Sequence, residues 1–281
     1  MKAESGNRFI APALVLLCLV TLYPVLYVFY LSFQRRLLIF DVARFTGIGN
    51  YLFLLRDERF WNAMGNTVYF TAVSVSIEIA LGLCIALILN RSFRGRGFVR
   101  AAVLVPWAIP TVVSARMWEW MYNADFGILN YLLGVRMNWL GSPLLALNAA
   151  VAMDVWKATP FVTVLLMAAL QVIPRELYQA ARVDGAGRFS LFTRITLPLL
   201  VPTMLVVLLF RTLDAFRVFD AVYVLTGGGP ANTTETLSIY AYKVLFQTLQ
   251  FGYGSALSVI IFMCTGAMSV LYVKLLRART A

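Results

Sequence analysis

Long apolar stretches alternate with short polar segments along the whole chain. The apolar blocks fall near Phe9–Phe33, Asn66–Leu89, Val99–Tyr122, Leu144–Leu170, Leu197–Phe216 and Ala256–Leu276. Each block is long enough to cross about 30 Å of hydrocarbon at roughly 1.5 Å per residue. Backbone N–H and C=O groups in lipid must bond within their own segment, so the blocks are predicted to be helices. The expected fold is an all-α membrane protein with six transmembrane helices, an even number that puts both termini on one side.

Charge selects the side. With the N-terminus inside, the inner segments collect Arg91, Arg94, Arg96 and Arg100, then Arg175, Arg182, Arg188 and Arg194. Lys2, Arg8, Lys274, Arg277 and Arg279 join them at the termini. Cytoplasmic segments carry such an excess, so both termini are expected in the cytoplasm. The first outer segment runs against the bias with Arg35, Arg36, Arg44, Arg56 and Arg59, and is expected to fold as a small external element around Trp61. The first apolar block follows Lys2 and Arg8 like a signal peptide. It is longer than the apolar region of such peptides and ends Tyr30-Leu31-Ser32-Phe33 without a small-x-small cleavage site, so it reads as a retained span.

Composition narrows the chemistry. The 281 residues are 61% hydrophobic and 13% charged, against about a quarter charged in soluble domains. There are no histidines, which removes the commonest metal ligand and general base together. Cys18, Cys84 and Cys264 are far apart in apolar blocks and read as small buried hydrophobes, not metal ligands or a disulfide framework. The net charge of +11 points to anionic lipid rather than nucleic acid, because it rides on a membrane protein. No Gly-x-x-x-x-Gly-Lys-Ser/Thr sequence occurs, so no phosphate-cradling loop is present and no cofactor is expected in this chain.

One polar island stands out between the fourth and fifth blocks. Pro174 ends the fourth block, and Glu176 to Arg182 are good helix formers with Ala180 and Ala181 giving a small, smooth face. Gly185 permits a sharp reversal, and Asp184 can cap or pair at the turn. Phe189, Phe192 and Ile195 follow at helical spacing before Pro198 restarts a helix as the fifth span. The product is a cytoplasmic helix–turn–helix.

The run Gln179-Ala180-Ala181-Arg182-Val183-Asp184-Gly185-Ala186-Gly187, with Leu197-Pro198 downstream, resembles the EAA loop of ABC-importer permeases, here spanning about 174–198. The resemblance implies that Gln179, Ala180, Ala181, Asp184, Gly185 and Ala186 dock onto a separate ATPase. The family pattern carries Glu where this chain has Gln179, so a hydrogen bond would replace one salt bridge. Thr226-Gly227-Gly228-Gly229-Pro230 with Thr233, Thr234 and Thr236 is similar to the external loop before the last span in carbohydrate-importer permeases of the maltose, glycerol-phosphate and trehalose type. Asp154-Val155-Trp156-Lys157, Leu213 to Asp220, Tyr23-Pro24 and Gly49-Asn50-Tyr51 extend the likeness over essentially the whole chain. It implies one transmembrane domain over residues 1–281, in the plasma membrane of a prokaryote. The implied partners are a second homologous permease subunit, two ATPase subunits that bind ATP and Mg, and an extracytoplasmic sugar-binding protein.

Charges inside the apolar blocks are the remaining signal, because an intramembrane charge is costly unless paired or wetted. Asp154, Lys157 and Phe161 share one helical face of the fourth span, and Arg211 and Asp214 share one on the fifth. Opposed across a bundle they would line a polar cavity with Phe161 as a sugar-stacking surface. Family members draw their sugar contacts from these two spans, so the resemblance places Asp154, Lys157, Phe161 and Arg211 in the substrate pathway. The competing reading makes Asp154–Lys157, Arg211–Asp214 and Arg116–Glu119 local ion pairs. Glu78, alone in the second span, is expected to bond a neighbouring helix. Two other classes stay open: a secondary carrier driven by an ion gradient, with Glu78 as its proton site, and a membrane enzyme. The enzyme has against it the missing histidine and the lack of a nucleophile–base pair.

Overall fold

The computed structural model describes residues 2–280. The side chains of Lys2, Arg8 and Arg279 lie outside the described residues, as do Met1 and Ala281. Among the described residues, five helices are long and apolar enough to cross a membrane: Ile10–Ser32, Glu58–Leu89, Pro143–Val172, Arg188–Phe216 and Phe251–Ala278. A sixth crossing is made only if two shorter helices, Arg96–Ala108 and Thr111–Met121, count as one span. They meet at 95°, so the continuous helix expected over Val99–Tyr122 is broken.

Proline explains the break. Pro110 forces its predecessor out of helical geometry, and Ile109 is extended at φ −78°, ψ 134°. Pro106 has already weakened the preceding turn. Two further prolines, Pro24 and Pro198, behave differently. Tyr23-Pro24 and Leu197-Pro198 are each preceded by a π-helical turn, Cys18–Leu22 and Phe192–Thr196. There the Tyr23 and Leu197 N–H groups reach back five residues, to the carbonyls of Cys18 and Phe192. The widened turn absorbs the proline without ending the helix. Pro198 therefore does not restart a helix, and the stretch from Arg188 to Phe216 is one element.

The chain divides into two compact units: Met1–Trp61 with Leu237–Cys264, and Asn62–Thr236 with Thr265–Ala281. In the first unit a two-stranded antiparallel hairpin departs from the all-α expectation. Gln34–Leu37 pairs with Val42–Phe45 in the register Gln34↔Phe45 to Leu37↔Val42. Gly49-Asn50-Tyr51 pins the hairpin to the first helix. Asn50 donates to the carbonyls of Ser32 and Gln34 at 2.8 Å each, and the Tyr51 hydroxyl donates to Ser32 Oγ at 2.7 Å. This hairpin element is thus organised on Asn50 rather than on Trp61, whose indole is half exposed and bonds the Leu55 carbonyl. Tyr240 and Tyr253 both donate to Asp57 Oδ2 at 2.5 Å. Burial raises the pKa of Asp57, but these hydroxyls outweigh it and hold the carboxyl below its ordinary range.

The second unit packs three long helices around Ala86, Val162, Leu166, Leu170, Leu200 and Val207. Gly82 sets the spacing, because a β-carbon there would stand 2.5 Å from Val162 Cγ1. Close approach over a small residue is the usual way helices associate in lipid, where no hydrophobic drive separates helix from solvent. Beyond the fourth long helix, Arg188–Phe216, the expected loop carries a short helix, Asp220–Thr226. Thr234 knits the Gly-rich turn that follows, donating to the Gly229 carbonyl at 2.8 Å and sharing a bond with Thr226 Oγ1. A further helix, Leu237–Tyr242, precedes the last long one. Cys18 and Cys84 are exposed and Cys264 is intermediate, all three free, so they sit on outward apolar faces instead of being buried.

Candidate functional site

A cavity of about 800 Å³ opens in the second unit between Pro143–Val172 and Arg188–Phe216. Asp154, Lys157, Phe161, Arg211 and Asp214 all line it. Sequence spacing therefore placed five side chains on two faces that do meet. Trp107, Phe210, Arg217, Phe219 and Asp220 also line it and were not singled out. Trp107 could have been found from its place between Pro106 and Pro110, at the break.

Arg211 is the hub. The residue is 5% exposed and bonds three carboxylates. Nε and Nη2 donate to the two oxygens of Glu78 at 2.6 and 2.9 Å, a bidentate fork. Nη2 also donates to Asp154 at 3.0 Å, and Nη1 to Asp214 at 2.6 Å. Glu78 is fully buried and bonds a neighbouring helix, as expected. The Arg211–Asp214 and Arg116–Glu119 pairs form as local ion pairs, each at 2.6 Å. The Asp154–Lys157 pair does not. Asp154 turns to Arg211, and Lys157 Nζ donates to the Ile109 carbonyl at 2.5 Å. The broken helix explains the switch: the extended Ile109 carries a carbonyl that has lost its helical donor, and an ammonium is a strong replacement.

Most of the guanidinium's donors are consumed within the protein. A fork held by Glu78 cannot also bind vicinal hydroxyls, so the cavity's free polar capacity lies with Asp154, Lys157 and Asp214. The Asp214 side chain is 70% exposed. Apolar surface faces these groups, with Trp107 and Phe161 rings 6.0 Å apart at a 38° tilt. A pocket with aromatic walls and a few convergent polar groups suits a polyhydroxylated solute, whose C–H faces are apolar and whose edges are polar.

The polar island folds as a surface helix–turn–helix. Helix Arg175–Val183 ends in a Schellman motif: the Ala186 N–H bonds the Ala181 carbonyl at 2.9 Å, and the Gly185 N–H bonds Arg182 at 3.0 Å. Gly185 is left-handed at φ +81°, as the reversal requires. Asp184 sits at the C-cap of this helix, not at an N-cap. Gln179, Ala180, Val183 and Phe189 are exposed, so the island presents a mixed small and apolar face. The Tyr178 hydroxyl and Thr196 Oγ1 share a 3.0 Å bond, tying the surface helix to the π turn at the base of Arg188–Phe216.

Comparison with known proteins assigns the class. Residues 78–281 match the family described as binding-protein-dependent transport system inner membrane component. The chain belongs to this family, and it is a multi-pass membrane transport subunit rather than an enzyme. Among curated relatives it is 45% identical to the trehalose/maltose transport system permease protein MalF of Thermococcus litoralis, over 99% of this chain and 95% of that one. It is 44% identical to the trehalose transport system permease protein SugA of Mycobacterium tuberculosis, over 96% and 87%. A permease chain from a bacterial ABC transporter that imports the acidic polysaccharide alginate shares the fold, with a TM-score of 0.86 over all of both chains at 22% identity. The chain is thus an ABC-importer permease, and the secondary-carrier alternative gains nothing from its relatives.

Proposed function

We propose that this permease supplies half of a transmembrane pathway for a neutral carbohydrate, a disaccharide of the trehalose type. The observation that carries the reading is the cavity, where Asp154, Lys157 and Asp214 face the Trp107 and Phe161 rings. The names of the trehalose/maltose and trehalose relatives support the same cargo. The chain makes six crossings with the bent helix pair as the third, and both termini lie in the cytoplasm. The arginine-rich inner segments support that orientation. The helix–turn–helix around Gly185 then faces the cytoplasm and receives an ATPase through Gln179, Ala180, Ala181, Asp184, Gly185 and Ala186. ATP and Mg sit on two such ATPase subunits, and this chain holds neither. A second homologous permease completes the pathway, and an external binding protein delivers the sugar. Closure of the ATPase pair pushes on the surface helix and opens the cavity outward, and hydrolysis resets it.

The test is reconstitution with the partner permease and ATPase in vesicles, with labelled trehalose offered on its binding protein. Uptake that requires ATP and saturates with trehalose is the expected result. Uptake without the ATPase, driven by an imposed ion gradient, would overturn the mechanism. ATP turnover indifferent to every disaccharide tried would overturn the cargo.

A further inference from the structure

A second cavity, of about 620 Å³, lies in the same unit beside the surface helix, and its chemistry is unlike that of the first. Four arginines line it, Arg96, Arg100, Arg175 and Arg182, and no carboxylate does. Asn90, Gln171 and Gln179 add uncharged donors. Arg96 and Arg100 are one helical turn apart on the same face of Arg96–Ala108, at its positive N-terminal end. Their Nε atoms are buried and bond no acceptor among the described residues. Arg175 and Arg182 stand on the surface helix at the other wall and are exposed. An exposed guanidinium is satisfied by solvent, but a buried N–H left unpaired is an exception that calls for a partner. Like charges gathered with no counter-charge also raise one another's energy until an anion joins them.

We propose that this cavity is a binding site for a phosphate-bearing anion. Guanidinium forks match tetrahedral oxyanions bidentately, and the helix N-terminus adds backbone donors of the same sign. The cavity lies where the inner ends of two long helical elements meet the polar island, so the phosphate can belong to an anionic lipid headgroup or to a soluble phosphate. An occupant would tie Arg96–Ala108 to the surface helix through Arg175 and Arg182. The site needs no ATPase, so its test is independent of the transport reading.

The test uses the full chain, delipidated and placed in nanodiscs of defined composition. One arm measures retention of phosphatidylglycerol against phosphatidylcholine by native mass spectrometry. The other titrates inorganic phosphate by calorimetry in phospholipid-free detergent, and asks whether phosphate displaces phosphatidylglycerol. At least a tenfold preference for phosphatidylglycerol, undisturbed by phosphate, assigns a lipid headgroup; direct phosphate binding with displacement assigns the soluble anion. In either case the Arg96→Gln/Arg100→Gln double variant loses tenfold or more, while Arg91→Gln/Arg94→Gln stays within twofold. Should the first double variant fail to fold, phenylglyoxal labelling of the wild-type chain decides: modification of Arg96 and Arg100 is slowed by whichever probe binds. The proposal is overturned if neither probe binds or protects. It is equally overturned if the Arg91/Arg94 variant loses as much as the Arg96/Arg100 variant, which would reveal a diffuse basic surface.

Discussion

Arg211 is buried and Arg96 and Arg100 are half-buried with their Nε atoms covered, yet their surroundings are opposite. Arg211 is buried within the last two turns of Arg188–Phe216, with three carboxylates on one guanidinium, two of them from other helices. Arg96 and Arg100 begin a helix at the edge of the apolar region and have no carboxylate in their cavity. The difference follows depth. Deep in a low-dielectric region a lone charge is prohibitive, so counter-charges must be built into the chain. Near the interface a cation can wait for a partner supplied from outside. Excess carboxylate at one end and excess guanidinium at the other therefore mark a structural hub and a receiving surface.

The largest expected effect breaks the hub. Glu78→Ala leaves Arg211 without its bidentate partner and should cost about 3–5 kcal/mol, as removing one member of a buried pair does. Thermal unfolding in detergent measures it, and Glu78→Leu/Arg211→Leu should recover much of the loss. A Glu78→Ala chain that melts like wild type would mean that Arg211 is wetted and the contrast between the two ends is false. Next comes Asp154→Ala, which leaves the Glu78 fork intact but removes a carboxylate from the cavity wall. Transport should fall about ten- to hundredfold, the worth of one hydrogen bond to a charged group. Membrane abundance should hold; a parallel fall in abundance would make Asp154 part of the hub alone.

At the other end, Gly185→Val forces a β-branched residue into left-handed geometry at about 1–2 kcal/mol. No atom lies within 4 Å of where its β-carbon would stand, so the damage is to the turn and not to packing. ATP-coupled transport should drop while the chain still inserts and unfolds near the wild-type temperature. Normal coupling in that variant would remove the turn from the docking surface. The smallest effect is expected at Arg116, whose pair with Glu119 is largely exposed. Arg116→Ala should change stability by less than about 1 kcal/mol, setting the baseline for a charge pair outside both regions.

Periodicity and length made the long helices legible, because lipid leaves the backbone few alternatives. The left-handed turn at Gly185 and the shared faces of Asp154–Phe161 and Arg211–Asp214 were legible for the same reason: each rests on local geometry. What hydropathy could not show was where a helix bends. Pro110, Pro24 and Pro198 look alike in sequence, yet one breaks a helix and two are absorbed by π turns. That choice depends on the turns around each proline. The partner of Asp154 was hidden too, since Lys157 is nearer along its own helix than Arg211. Only the broken helix, with its spare carbonyl at Ile109, frees Asp154 to cross the gap. The arginine cavity was visible only as scattered positive charge, because its walls come from Arg96–Ala108 and Arg175–Val183.

Because the π turn at Phe192–Thr196 absorbs Pro198, one helical element, Arg188–Phe216, runs from the surface turn to the hub. From Arg188 to Arg211 the helix extends roughly 35 Å at 1.5 Å per residue. A rod of that length carries displacement without a relay of intermediate switches, and it carries it both ways. Any occupant of the cavity that moves Arg211 must shift the equilibrium of the Gly185 turn by the same coupling free energy with which the turn shifts the cavity. On the proposed docking of the Gly185 turn, the far end of the molecule would report a full cavity before any nucleotide is spent.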